Sequence, residues 1–231
     1  MRRVSDVYVR DAFRRISWRY NLMNIVMSLG MDQAWRRKMV SRCKMRSSSV
    51  ALDVCTGTAM VAAELEGAVG RGGKVVGVDF SRDMLSGAVT GGNGTVELVE
   101  GDALNLPFRD RSFDCITAAY CLRNLVDKRQ AAREIARVIK PGGRFVVLDL
   151  EMPRNPLIRE LYKLYVGKVI PVFGWLIVGH MDVYQHLLES LNLFPGREER
   201  KEIMREVGLR EESYDPLALG GIAIQTFVAE G

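Results

Sequence analysis

The run Leu52-Asp53-Val54-Cys55-Thr56-Gly57-Thr58-Ala59, followed by Val76-Gly77-Val78-Asp79, constrains the fold more than any other part of this chain. A short apolar segment ends in an acid and a turn of small residues. A helix-like segment follows, then a second apolar segment ending in Asp79. This is the layout of a βαβ unit that cradles a nucleotide, and the acid closing the second strand can hold a ribose. Asp79 is therefore the first candidate binding residue, because a carboxylate accepts both ribose hydroxyls in charge-assisted bonds. The plainer alternative makes Asp79 a spectator beside a helix cap at Ser81.

The alternation continues through the chain. Residues 50–54, 74–79, 95–100, 114–119 and 144–150 read as strands. Helices are expected at 58–69, from Ser81 to about Val89, and at 127–139, where Ala131, Ile135 and Val138 share one face. Pro141-Gly142-Gly143 stops the last of these. Residues 153–195 interrupt the pattern with helical, aromatic-rich sequence. A helix at 197–207 and strands near 211–215 and 222–228 close the chain. The expectation is an α/β fold, a doubly wound, seven-stranded, mostly parallel sheet, with N-terminal helices and a helical insertion after strand five. Right-handed crossovers bring the strand carboxyl ends to one edge, where a ligand binds. The division expected is an N-terminal basic helical arm or lid at 1–46 and one α/β domain at 47–231.

Charge is unevenly placed. Residues 1–46 carry 12 Lys+Arg against 3 Asp+Glu, a balance of +9, while the whole chain is only +5. Such an arm can face anionic lipid or nucleic acid, or form a solvated helical face. Arg2, Arg3 and Arg10 interrupt any signal-peptide core. The longest apolar run, 169–178, is too short to span a bilayer. A soluble or peripheral protein in the cytoplasm is expected. Cys43, Cys55, Cys115 and Cys121 form no CxxC pair, and three lie in or beside core strands, so buried thiols are expected rather than disulfides. His180 and His186 do not share a helix face, and no metal site is expected.

The order of motifs resembles the class I S-adenosyl-L-methionine-dependent methyltransferases. The small-residue turn after strand one, Asp79, Gly101-Asp102-Ala103 after strand three and Lys140-Pro141-Gly142-Gly143 before strand five carry the likeness. A narrower resemblance covers about residues 8–228. Tyr20-Asn21-Leu22-Met23-Asn24, Met27-Ser28-Leu29-Gly30 and Trp35-Arg36 resemble the N-terminal signature of the ubiquinone/menaquinone biosynthesis C-methyltransferases. So do Ala103-Leu104-Asn105-Leu106-Pro107-Phe108, Leu122-Arg123-Asn124, and Tyr184-Gln185-His186-Leu187 with Phe194-Pro195. The family's turn reads D-x-A-G-G-T-G. Here only Gly57 survives among its glycines, and Ala59 adds a Cβ beside the expected cofactor. Ala119 stands where the family often places a serine.

The resemblance implies S-adenosylmethionine as cofactor and ring C-methylation of a prenylated quinol, demethylmenaquinol or its ubiquinone counterpart. A different small or prenylated acceptor is the alternative. Asp53, Gly57, Thr58, Asp79, Asp102, Ala103 and Ala119 are the implied cofactor residues. Thr58 is expected to open the first helix toward the methionine end, or to cap it. Asp102 is expected to take the adenine amine, or to serve as an ordinary turn aspartate. Arg123 is the candidate catalytic cation for a quinol oxygen anion, with a structural ion pair to Asp127 as the plainer reading. Tyr20, with a possible role in core packing, is the candidate for proton handling. Asn24, Tyr184 and His186 are candidate substrate residues, and His186 titrates near neutrality. Val169, Ile170, Val172, Phe173, Trp175, Leu176 and Ile177 are expected to groove a prenyl tail or touch lipid, or else to pack in a core or dimer interface. A nucleic-acid partner is disfavoured, because Ala118-Ala119-Tyr120-Cys121 lacks the Asn/Asp-Pro-Pro-aromatic stretch of base-amine methyltransferases.

Overall fold

The computed structural model describes residues 19–89, 94–179 and 181–231, apart from the side chains of residues 181–183, 185 and 186. In chain order its elements are α1 (Tyr20–Met27), α2 (Asp32–Arg42), β1 (Val50–Val54), α3 (Met60–Ala68), β2 (Lys74–Asp79), α4 (Arg82–Ser86), β3 (Val96–Glu100) and β4 (Phe113–Ala119). They continue with α5 (Lys128–Val138), β5 (Ile139–Leu150), α6 (Pro156–Leu164), α7 (Ile170–Val178), α8 (Met181–Leu193), α9 (Arg197–Arg205), β6 (Leu209–Leu217) and β7 (Ile222–Ala229).

Seven strands form one sheet in the order β3-β2-β1-β4-β5-β7-β6. The pairs from β3 to β5 are all parallel, and β7 runs antiparallel to both β5 and β6. The expected α/β doubly wound sheet is thus the observed one. The central strands are buried on both faces, as near-continuous apolar runs require. One face packs Leu52, Val54, Ile116, Ile135, Phe145 and Phe227. The other packs Ala51, Leu65, Cys115, Val146 and Leu148 against Trp35, Met39, Val40 and Cys43. The described part of the N-terminal arm is therefore built into the domain core, because α2 supplies much of one layer.

Several boundaries differ from the sequence reading for local reasons. The first helix begins at Met60 rather than Thr58, because Cys55 (φ +54°), Gly57 (φ +56°) and Ala59 (φ +62°) all take the left-handed backbone region. α4 ends at Ser86, although Ser81 caps it as expected by accepting from Met84 N at 3.3 Å. Asp127 caps α5 by accepting from Gln130 N at 2.9 Å. Pairing in β5 starts at Ile139 and shifts register before Arg144, so the Pro141-Gly142-Gly143 turn lies inside the strand.

The insertion folds over the carboxyl edge of the sheet. α6, a π-helical turn (Tyr165–Val169) and α7 form one continuous helix, Pro156–Val178, of 23 residues. By length and composition it is apolar enough to cross a bilayer, although the apolar run within it is shorter. Ile170 and Val178 pack with Met23, Val166 and Tyr184, while Val172, Phe173, Trp175 and Leu176 are exposed. The apolar segment is thus split between a small second core and the surface.

Candidate active site

Two cavities meet at the carboxyl edge. The first is a narrow cleft of about 80 Å³ between the turn after β1 and the ends of β2, β3 and β4. It is lined by Cys55, Gly57, Asp79, Asp102, Ala119 and Cys121, with apolar Met84, Leu104, Leu125 and Val126 around them. The second measures about 490 Å³ and lies beneath the insertion, between α1, α2, α7 and α8. Tyr20, Tyr120 and Asn124 line both and form the wall between them.

Asp79 ends β2, is 6% exposed, and faces the cleft. Its Oδ2 accepts the Gly57 N–H at 2.8 Å and its Oδ1 the Ser81 N–H at 2.8 Å. Burial raises its pKa, against the hydrogen bonds from the Ser81 and Gly57 backbone. Each oxygen keeps acceptor capacity toward a hydroxyl. Asp102 lies across the cleft and accepts the Leu104 N–H at 2.9 Å.

Three implied cofactor residues stand elsewhere. Asp53 turns into the sheet, where Thr56 Oγ1 donates to it at 2.6 Å and Thr117 Oγ1 at 2.7 Å. Burial pushes its carboxyl up to about 6, against these two hydrogen bonds. Asp53 therefore orders the turn from below rather than lining the cleft. Thr58 does not open α3. Its hydroxyl donates to Asn21 Oδ1 at 2.7 Å and ties the turn to α1. The Ala103 side chain belongs to the core, and the cleft wall at that point is Leu104. Thr56, at a position where the family's turn carries glycine, has room because it lies over Gly77. A Cβ on Gly77 would meet both Thr56 Cγ2 and Oγ1 at 2.9 Å.

The larger cavity is mostly apolar and carries a few polar groups. Arg123, with a side chain 9% exposed, donates through Nη1 to Asp149 Oδ1 and to the Tyr120 carbonyl, each at 2.6 Å. Its ion-pair partner is Asp149 rather than Asp127, because the end of β5 lies beside the turn after β4. Burial works against the Arg123 charge, but Asp149 and Tyr20 outweigh it and raise the pKa. Arg123 Nε and Tyr184 OH are buried with no hydrogen-bond partner among the described residues. Tyr184 packs so closely on Gly174 that a Cβ there would lie 2.2 Å from the ring. Asn24 lines the cavity and is hydrogen-bonded to Tyr20. Burial pushes the Tyr20 phenol up, against that bond and the Arg123 and Arg36 charges. The side chain of His186 lies outside the described residues.

Sequence reasoning gave no role to Tyr120, Asn124 or Asp149. Tyr120 holds a left-handed backbone (φ +58°), a conformation that collects at functional sites. Its position just past β4, at the binding edge, was the available signal. For Asp149 the signal was an acid inside the apolar run of β5, which burial obliges to find a partner.

The fold is that of the class I methyltransferases, and its two cavities at the carboxyl edge share a wall. A family model for the ubiE/COQ5 methyltransferase family matches residues 1–228, and the chain belongs to that family. It is 40% identical over 222 residues to "Demethylmenaquinone methyltransferase" of Desulfitobacterium hafniense, covering 94% of this chain and 88% of that one. It is 35% identical over 228 residues to the "Ubiquinone/menaquinone biosynthesis C-methyltransferase UbiE" of Hahella chejuensis, covering 96% and 92%. A solved SAM-dependent methyltransferase from Aquifex aeolicus shares the fold, with a TM-score of 0.61 at 18% identity over 84% of this chain and 88% of that one.

Proposed function

We propose that this enzyme C-methylates the ring of a prenylated quinol, demethylmenaquinol, using S-adenosylmethionine. The observation that carries the reading is the apolar cavity whose buried Arg123 Nε and Tyr184 OH have no partner among the described residues, next to an acid-ended nucleoside cleft. Two unspent donors in apolar surroundings suit a flat ring bearing two oxygens, since an orphaned buried polar group costs about 1–3 kcal/mol until matched.

The cleft residues fit an adenosyl group. Asp79 suits the ribose hydroxyls and Asp102 an amino donor, and Met84, Leu104 and Leu125 suit a purine face. At about 80 Å³ the cleft is narrow, so those flexible apolar side chains shift aside on entry. When bound, the cofactor supplies an electrophilic methyl on sulfur.

The chain's own residues then have three tasks. They hold the ring carbon in line with that methyl across the wall of Tyr20, Tyr120 and Asn124. Arg123 stabilises the ring oxygen anion that makes the carbon nucleophilic, with Asp149 fixing the guanidinium. Tyr20, kept protonated by burial, serves as a hydrogen-bond donor at the wall rather than as a base.

A tail leaves through the mouth, where Leu29 and Leu219 are each 79% exposed and Met31 is 42% exposed. The exposed apolar residues of Pro156–Val178, with Lys163 and Lys168 on the same helix, suit peripheral contact with an anionic bilayer. Methyl transfer from labelled S-adenosylmethionine to chemically reduced demethylmenaquinol tests the assignment. Ring-methylated product one methyl heavier, formed faster with a prenyl tail than without, is expected. No transfer to any reduced quinol rejects it.

A further inference from the structure

The four cysteines divide between two regions of the fold. Cys43 and Cys115 pack in one core cluster on the α2 face of the sheet, 3% and 0% exposed. Cys55 and Cys121 both line the cleft at the carboxyl edge, and Cys55 packs against the core cluster that holds Cys121. Parallel pairing explains the shared cleft. The final register pair of β1 and β4 is Val54↔Ala118, so the two chains leave the sheet side by side. Cys121 then turns back, and its Sγ donates to the Val54 carbonyl at 3.8 Å.

We propose that Cys55 and Cys121 form an oxidation site, closed by a hydroperoxide into a reversible disulfide that shuts the cofactor cleft. The inference rests on that cleft being the cofactor site. Cys55 is half-buried at the cleft wall and Cys121 is 8% exposed, so a small oxidant reaches Cys55 first. Cys55 also sits in left-handed backbone two residues before Gly57, whose N–H is held by Asp79. A bond joining it to Cys121 acts on the turn that carries the ribose site.

The chemistry balances as follows. The Cys55 sulfur attacks one peroxide oxygen, the O–O bond breaks, and Cys55 becomes a sulfenic acid while an alcohol or water leaves. The Cys121 sulfur then attacks the Cys55 sulfur. The Cys121 proton departs with the sulfenic hydroxyl as water. Two electrons and two protons pass to the peroxide, and a dithiol reductant reverses the change. Cys43 and Cys115 are an internal control, since two neighbouring core thiols without access to the oxidant stay reduced.

The full chain is treated with hydrogen peroxide, peptide-mapped by mass spectrometry, and titrated with S-adenosylhomocysteine before and after dithiothreitol. A Cys55–Cys121 peptide, an affinity at least tenfold weaker, and recovery on reduction are expected, with Cys43 and Cys115 still free. Cys121→Ser should form no cross-link, and its affinity with and without peroxide should agree within twofold. Cross-linking without change in affinity, oxidation without cross-linking, or preferential linkage of Cys43 to Cys115 overturns the proposal. Failure of the reduced protein to bind the nucleoside overturns instead the cofactor reading, and the peptide map still decides whether the disulfide forms.

Discussion

The Gly57 backbone N–H donates to the Asp79 carboxylate at 2.8 Å, so the turn after β1 and the acid after β2 act as one unit. A second N–H, from Ser81, holds the other oxygen at 2.8 Å. Hydrogen bonds to a charged group contribute about 1.5–3 kcal/mol each. Asp79→Asn sets an amide NH2 against one of these N–H groups, so it is expected to weaken S-adenosylmethionine binding by roughly ten- to a hundredfold, read by calorimetry, and to lower Tm by several degrees. Unchanged affinity would remove Asp79 from the ribose site.

Arg123 and Asp149 form a buried pair, so truncating either leaves an uncompensated charge. The conservative Arg123→Lys retains a cation but loses the planar fork and its Nε. We expect kcat to fall by about a hundredfold or more, while affinity for S-adenosylhomocysteine stays within threefold. Parallel loss of both would mean that Arg123 supports the whole edge rather than the ring anion.

Gly174 lies directly under Tyr184. Gly174→Ala forces the ring away, at about 1–3 kcal/mol for an overpacked site. KM for the quinol should rise several-fold while cofactor affinity is unchanged. An equal effect on both ligands would argue against a substrate role for Tyr184.

Asp53 titrates in the folded protein at about 6, above its ordinary value of 3.8. The folded state thus binds this proton more tightly than the unfolded state. The resulting stabilisation is fully present below pH 3.8, declines through the window between the two values, and is lost above pH 6, by roughly 3 kcal/mol in all. Asp53→Asn should flatten this part of the stability profile, seen as a smaller difference in denaturant-derived stability between pH 4.5 and pH 7.5 than in the wild type. An identical pH profile would place the Asp53 pKa near its ordinary value.

Ala59 occupies left-handed backbone (φ +62°) where the family's turn carries glycine. A non-glycine residue there costs about 1–2 kcal/mol, partly offset by the lower chain entropy of alanine when unfolded. Ala59→Gly should raise stability by about 0.5–1 kcal/mol in urea denaturation. A loss of stability would show that the Ala59 methyl contributes more in packing than its backbone costs.

The local code carried most of the frame. Apolar runs bounded by turn residues marked the succession of strands along the chain, and the caps at Ser81 and Asp127 followed from residue type alone. Period and capping are properties of neighbouring residues, so they can be read without the fold. The position of Asp79 at a strand's carboxyl end was legible for the same reason. Tertiary structure alone decided which side chains meet. It paired Arg123 with Asp149 across 26 residues and Thr58 with Asn21 across 37, and it brought Cys55 and Cys121 to one cleft. It also turned Asp53 and Ala103 away from the cleft and gave Tyr120 the wall between the cavities. Those contacts depend on sheet register and on the insertion's packing over the edge, neither of which leaves a periodic trace in the chain.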